Sequence, residues 1–139
     1  MPIMMDADAL SVFMKDVFKQ VADDFAIDHV GETDLTTRLL TADRHLRPGG
    51  TVSGPSIFAL ADVSAYLMTL ARIGLKALAV TTNCSIDFMR KPAANTDLIA
   101  KTRLLKLGKL LSICDVLVYS DGLEEPVARA SLTYAIPPR

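Results

Sequence analysis

One long apolar segment, SIFALADVSAYLMTLARI at positions 56–73, constrains the fold more than any other feature of the chain. Its apolar residues fall on all sides of a helix, so a helix here must be buried on most sides. Pro55 suits the helix start, because its missing N–H would have no partner there, and Gly74 is a typical helix end. Asp62 is the one carboxylate that interrupts this apolar helix.

Strand-like segments surround the helix in sequence. Four long ones follow it, at residues 78–88, 97–107, 110–120 and 126–136. The turns between them are short, and the pair Asp121-Gly122 is a strong hairpin signal, so the sheet should be mainly antiparallel. Two shorter strands precede the helix, at residues 27–31 and 34–41. Apolar spacing also predicts an amphipathic first helix over residues 7–25.

This order of elements predicts an α+β fold in which a curved antiparallel sheet wraps around the central helix. We expect one domain over residues 1–139, with the first helix in residues 1–25 and the core in residues 26–139. A long sheet covered by one helix leaves its edges open to pairing, so self-association is expected.

The composition excludes several classes of function. The net charge of −1 argues against nucleic acid as a partner, and no uninterrupted apolar run reaches the roughly 18 residues of a membrane span. Cys84 and Cys114 lie in strand-like runs, and with only two histidines besides there is no metal-ligand spacing. We therefore expect a cytoplasmic protein with reduced core cysteines and no metal.

Two stretches, GGTVSGPSIFALADVSAYL and VTTNCSIDFMRKP, resemble the hotdog-fold acyl-CoA thioesterases, in particular the phenylacetate-degradation-type branch. Gly50, Gly54, Asp62, Phe88 and Pro92 fall in register with the pattern of that family, and the likeness spans about residues 25–137. It implies a hotdog fold, an acyl-CoA substrate without a separate cofactor, and a homodimer that pairs into a dimer of dimers. It also places the site at a subunit interface.

The loop before the helix departs from that pattern. Ser53 stands where the family has a histidine, Pro55 replaces a second loop glycine, and Arg47 matches a position that often holds an asparagine. Ser53 would bind substrate or cap the helix. Arg47 would contact substrate or remain a solvated loop charge.

The chemistry of thioester hydrolysis suggests roles for two residues. The N–H of Gly54, at a helix N-terminus, would stabilise the oxyanion that forms when water attacks the carbonyl. Asp62 would act as general base or nucleophile. It lies about two turns further along the same helix, so in a dimer it would serve the Gly54 of the neighbouring subunit. The alternative is a structural Asp62 that bonds Ser64, Tyr66 or a partner backbone group.

The remaining candidates bind rather than react. The resemblance implies that Thr82 helps to hold the attacking water, with Asn83 as the neighbouring polar alternative, although threonine is also an ordinary strand residue. His45 is interpreted as a loop residue. Cations that would meet the phosphates of coenzyme A are Arg90, Lys91, Lys106 and Lys109. Candidate acyl-pocket residues are Phe58, Tyr66, Met68 and Met89.

The function predicted first is hydrolysis of a small or medium acyl-CoA or aryl-CoA thioester. A non-catalytic acyl-CoA-binding protein is the main alternative, because the loop histidine is missing. A hydratase or dehydratase is less expected. Such enzymes pair a histidine with an acid, and no histidine lies in the glycine-rich stretch or the central helix.

Overall fold

The computed structural model describes residues 2–138, so the two end residues of the predicted domain lie outside it. It contains two helices, α1 (Ala7–Val17) and α2 (Gly54–Ile73), and short 3-10 turns at Ala22–Asp24 and Asp43–His45. The strands are β1 (Phe25–Val30), β2 (Asp34–Leu39), β3 (Val80–Phe88), β4 (Leu98–Leu107), β5 (Leu111–Ser120) and β6 (Pro126–Ala135). The predicted order of helices and strands is confirmed.

The predicted length of the first helix is wrong. Asp6 caps α1, its carboxylate accepting from the Ala9 N–H at 2.9 Å, but the helix ends at Val17 and not near residue 25. Phe25 already pairs with Leu39 as the first residue of β1. Phe18 leaves the helix and packs edge-on against Tyr66, with ring centroids 6.0 Å apart. Strand pairing and aromatic packing therefore override the local helical pattern.

The six strands of the described chain form one antiparallel sheet in the order β1-β2-β4-β5-β6-β3. Helix α2 contacts all six strands, so the sheet wraps around it as predicted. Met68, in the middle of α2, is completely buried. By length and hydropathy α2 could also cross a membrane, but 67% of its most apolar 18-residue window is buried in the fold, as in the core helix of a globular domain.

Buried hydroxyl groups on α2 all find partners. The Ser64 hydroxyl donates to the Leu60 carbonyl oxygen at 2.6 Å and also contacts the Thr37 hydroxyl. The Thr69 and Ser112 hydroxyl oxygens lie 2.8 Å apart. These pairs remove the cost of burying polar groups and fix the rotation of α2 against β2 and β5.

Strand β3 lies at one edge of the sheet and most of its residues are exposed. Two of its large apolar side chains, Val80 and Phe88, are 56% and 53% exposed. A nine-residue edge strand with exposed apolar residues is a surface that proteins commonly cover by pairing. Cys84 on β3 and Cys114 on β5 are both free.

Candidate active site

A glycine turn sets the direction in which the chain enters α2. The Arg47 N–H donates to the Thr51 carbonyl at 2.9 Å, and the Gly50 N–H donates to the Arg47 carbonyl at 3.0 Å. Gly49 and Gly50 have φ angles of 105° and 87°. A Cβ at either position would meet no atom within 4 Å. Glycine is therefore favoured here by backbone conformation and not by lack of space.

Ser53 is the N-cap of α2. Its hydroxyl accepts from the Ser56 N–H at 3.3 Å, and its own N–H donates to the His45 carbonyl at 2.8 Å. His45 is buried, and its Nδ1 accepts from the Ala42 N–H at 2.9 Å. Ser53 thus fills the capping role, one of the two that the sequence left open. His45 anchors the loop in which it was predicted to lie.

Asp24 ties this loop to the start of β1. Its carboxylate pairs with Arg44, and its Oδ1 lies 3.3 Å from His45 Nε2. Burial works against ionisation of Asp24, but Arg44 and His45 outweigh it and hold the pKa of that carboxyl below its usual value. The loop is thereby fastened at its N-terminal end as well as at the helix cap.

Gly54 is the first residue of α2. No hydrogen bond from its N–H is formed within residues 2–138, and Pro55 has no N–H to offer. The Phe88 ring lies close by, since a Cβ on Gly54 would stand 3.6 Å from Phe88 Cζ. The Gly54 N–H is therefore an unpaired donor at the positive end of the helix dipole, suited to an anion or a developing oxyanion.

Two hydroxyl groups hold one oxygen of Asp62. The Thr81 hydroxyl donates to Oδ1 at 2.7 Å, and the Tyr134 hydroxyl lies 2.8 Å from the same atom. The Tyr134 hydroxyl is also 3.1 Å from the Asp62 carbonyl oxygen. Among the described residues no hydrogen bond reaches Oδ2. One carboxylate oxygen is thus fixed, and the other is available to a ligand or to water.

Of the structural partners proposed for Asp62 from the sequence, the two side chains of the same chain are engaged elsewhere. Ser64 bonds within the core, and the Tyr66 hydroxyl donates to the Ala77 carbonyl at 2.7 Å. The two partners that the structure supplies, Thr81 and Tyr134, come from strands distant in sequence.

Asp62 lines a pocket of about 380 Å³. Val17 and Phe18 close one side of it from the end of α1, and residues 77–81 form another. Tyr66 and Tyr134 complete the lining, with ring centroids 5.8 Å apart. Burial and the charge of Asp62 raise the pKa values of Tyr134 and Cys84, so both remain protonated beside it. The arrangement is a single carboxylate in a mostly apolar pocket, suited to act as a base on a small, largely apolar ligand.

Gly54 and Asp62 do not meet within one chain. Eight residues of α2 separate them, which corresponds to about 12 Å along a helix axis. A carbonyl bound at Gly54 is therefore beyond the reach of Asp62 of the same chain.

The sequence profile of the thioesterase superfamily matches residues 49–127, more than half of the chain, from the glycine turn through β5. The chain belongs to the thioesterase superfamily. A protein from Silicibacter sp. TM1040, provisionally assigned as a thioesterase, is 54% identical, with 99% of this chain and 96% of that chain aligned and a TM-score of 0.93. Among curated protein sequences no significant match was found.

Two solved structures of lower sequence identity share the fold. The E. coli PaaI protein of the phenylacetic acid degradation operon is 20% identical, with 95% of this chain and 94% of that chain aligned and a TM-score of 0.81. A protein from Streptococcus mutans UA159, crystallised with acetyl-CoA, is 23% identical over 83% of this chain and 90% of that chain, with a TM-score of 0.71. The predicted hotdog fold and the resemblance to this superfamily are confirmed.

Within this thioesterase fold, Thr82 does not reach Asp62. The register of β3 against β6 shifts between Thr81 and Asn83, which is a β-bulge. The Thr82 hydroxyl donates to the Thr133 carbonyl at 3.2 Å, while Thr81 lies opposite Tyr134 and bonds the acid. Because a shift of one residue turns a side chain to the other face, the strand pattern alone did not distinguish Thr81 from Thr82. No local signal pointed to Tyr134.

The predicted cationic residues fall into separate groups. The Arg90 guanidinium donates to the Pro126 carbonyl at 2.8 Å and pairs with Glu125 at 3.0 Å, and Lys91 beside it is exposed. Both follow β3, whose last residue adjoins the N-terminus of α2. Lys109 lies at the other end of α2, which has 20 residues and a length of about 30 Å. One protomer therefore does not bring Lys109 together with Arg90.

Of the predicted acyl-pocket residues, Tyr66 lines the pocket that contains Asp62. Phe58 and Met89 are exposed and lie outside that lining, and Met68 is buried in the core. Arg47 is exposed on the glycine turn, as is Asn83 on β3. Phe18 and Val17, which do line the pocket, fall within the predicted first helix and are not among the predicted pocket residues.

Proposed function

We propose that the protein hydrolyses the thioester of a small or medium acyl-CoA or aryl-CoA. The observation that carries the proposal is the Asp62 carboxylate, fixed through Oδ1 by Thr81 and Tyr134 and lining an apolar pocket of about 380 Å³. Membership of the thioesterase superfamily supports the reaction class. The acetyl-CoA bound to the distant Streptococcus mutans protein supports the substrate class.

The complete site is proposed to need two copies of the chain. Gly54 and Asp62 are about 12 Å apart along α2, so the donor and the base of one site must come from different subunits. The exposed edge strand β3 supports a homodimer. One end of this strand, at Phe88, adjoins the donor Gly54, and the other end, at Thr81, bonds the base Asp62. Two copies that meet along β3 can therefore combine the donor of one with the base of the other. We propose further that two such dimers associate, as the resemblance implies.

In the proposed reaction Asp62 Oδ2 accepts a proton from water while the water oxygen bonds to the thioester carbon. The carbonyl electron pair moves to its oxygen, which the Gly54 N–H and the helix dipole of α2 stabilise. Collapse of this intermediate breaks the C–S bond, and the thiol of coenzyme A leaves with the proton from Asp62. In the alternative, the carboxylate attacks the carbon directly, and the C–S bond breaks as the coenzyme A thiolate leaves. Water then hydrolyses the mixed anhydride, which releases the acyl acid and restores the Asp62 carboxylate, and a proton of that water goes to the thiolate.

The other predicted residues have supporting roles in this proposal. Thr82 and Asn83, which are exposed on β3, contact substrate and not the Asp62 carboxylate, and Ser53 acts as the helix cap. Arg47, Arg90 and Lys91 bind the coenzyme A phosphates from the side of the α2 N-terminus. A cytoplasmic location is proposed because Cys84 and Cys114 are both free.

An Asp62→Asn variant tests the proposed function. The control is Asp115→Asn, which alters an exposed carboxylate on β5. The assay measures hydrolysis of short, medium, long and aryl acyl-CoAs by wild type, Asp62→Asn and this control. We expect turnover by Asp62→Asn to fall by about 10²- to 10⁴-fold because the base is lost, with calorimetric binding of acyl-CoA retained. The control should behave as wild type.

One observation favours a second candidate, a non-catalytic acyl-CoA-binding protein. Ser53 stands where the resemblance predicts a histidine, and its hydroxyl is already engaged as the helix cap. Wild-type protein that binds acyl-CoA but hydrolyses no member of the panel would establish this function and exclude the enzyme. Light scattering of the same preparations tests the dimer of dimers.

A further inference from the structure

Tyr134 makes an unusual pair of contacts with Asp62. Its hydroxyl lies 2.8 Å from the carboxylate Oδ1 and 3.1 Å from the backbone carbonyl of the same residue. The side chain is only 4% exposed, so the hydroxyl is held where it is by packing. Thr81, directly opposite on β3, gives Oδ1 its second donor.

We propose that Tyr134 is a positioning residue whose O–H holds the Asp62 carboxylate in one orientation, leaving Oδ2 to accept the proton of the attacking water. The proposal rests on the proposed function, in which Asp62 is the base. A donor on one oxygen reduces the rotation of the carboxylate, so the other oxygen stays directed at the water. Tyr134 itself does not touch the reacting atoms in this scheme.

Packing explains why Tyr134 is a fixed donor. Its ring stacks at a tilt on Tyr66, which is contacted in turn by Phe13 and Phe18 of the α1 region at 6.1 Å and 6.0 Å between centroids. The Tyr66 hydroxyl is tied to the Ala77 carbonyl. An aromatic cluster therefore connects the first helix to the carboxylate, and the Tyr134 hydroxyl has little freedom to move away from Asp62.

The electrostatic surroundings leave the hydroxyls as the main stabilising groups. The titratable groups that face Asp62 are Tyr66 from α2, Cys84 from β3 and Tyr134 from β6, and burial raises the pKa of each. The end of α1 contributes only Val17 and Phe18. In the described part of the chain Asp62 makes no ion pair with a lysine, arginine or histidine. The hydrogen bonds from Thr81 and Tyr134 are therefore what holds the carboxylate in place.

A Tyr134→Phe variant tests this role, with Tyr119→Phe as the matched control. Tyr119 lies on β5 beside Lys101, away from the pocket. The readouts are kcat and KM for acyl-CoA hydrolysis, with the melting temperature as a check on folding. We expect kcat of Tyr134→Phe to fall by about 10-fold with KM unchanged, the effect of losing one hydrogen bond to a charge. Tyr119→Phe should change neither.

A second substitution keeps the test valid if Tyr134→Phe does not fold. Site-specific 3-fluorotyrosine at position 134 keeps both the ring and the hydroxyl donor, so its kcat should stay near that of wild type. A Tyr134→Phe variant with the kcat of wild type, or a 3-fluorotyrosine protein that loses as much kcat as Tyr134→Phe, would overturn the role of Tyr134 and leave the proposed function standing. Wild type that hydrolyses no acyl-CoA would overturn the proposed function and the catalytic role of Tyr134 with it.

Discussion

Replacing Gly50 by alanine should destabilise the protein through backbone strain alone. Gly50 has a φ angle of 87°, and a Cβ there would meet no atom within 4 Å. Holding an L-residue in this region costs about 1–2 kcal/mol, while reduced freedom of the unfolded chain returns about 0.4–1 kcal/mol. The net loss of unfolding free energy should therefore be about 1 kcal/mol.

Gly108→Ala is the matched control, because it carries the same unfolded-state effect without the strain. Gly108 lacks a positive φ, and its added Cβ would stand 3.7 Å from the Leu111 carbonyl oxygen, an ordinary contact. The difference between the two variants should thus equal the strain, about 1–2 kcal/mol. For 139 residues this corresponds to a Tm difference of roughly 3–7 °C.

The assay is thermal unfolding followed by circular dichroism, with all proteins at one concentration so that self-association affects each equally. If the Tm of Gly50→Ala lies within a degree of that of Gly108→Ala, the glycine turn is not a conformational requirement. In that case the glycine turn would not be what directs the chain into α2.

Three further predictions concern the pocket, the core and the loop. Phe18→Ala should enlarge the pocket that contains Asp62, so kcat/KM should rise for longer acyl groups relative to shorter ones. Phe58 lies outside the pocket, so Phe58→Ala should leave the chain-length preference unchanged. Identical chain-length preferences for the two variants would contradict this prediction. Met68→Ala, at a fully buried position, should cost about 2–5 kcal/mol in urea denaturation, and a loss below 1 kcal/mol would mean that the core refills the cavity. Because the native pKa of Asp24 is lowered, its stabilising effect is present above the ordinary carboxyl pKa and is lost as pH falls through the native value. Asp24→Asn should therefore be less stable than wild type at pH 7, and the difference should shrink as the pH falls below the ordinary carboxyl pKa; a difference independent of pH would exclude the ion pairs as its cause.

Much of the fold was predictable because it depends on patterns that are local in sequence. The all-round apolar α2, the strand lengths and the short turns together predicted the element order and the antiparallel sheet. The exception was the end of α1, where apolar spacing continued past Val17 although the helix did not. There, pairing of Phe25 with Leu39 and packing of Phe18 on Tyr66 decided the structure.

The candidate site also has some features that were predictable from the sequence and others that were not. The sequence alone determined the start of α2 beside Pro55, the N–H that Gly54 offers there and the presence of one acid in an apolar helix, since each follows from the conformational and bonding properties of its own residues. Only the tertiary structure decided what surrounds Asp62. A one-residue bulge selects Thr81 over Thr82, and the sheet brings Tyr134 to an acid 72 positions earlier in the chain. Both depend on strand register, which is fixed by packing of the whole sheet on α2. The register therefore cannot be predicted from the residues near Asp62 in sequence.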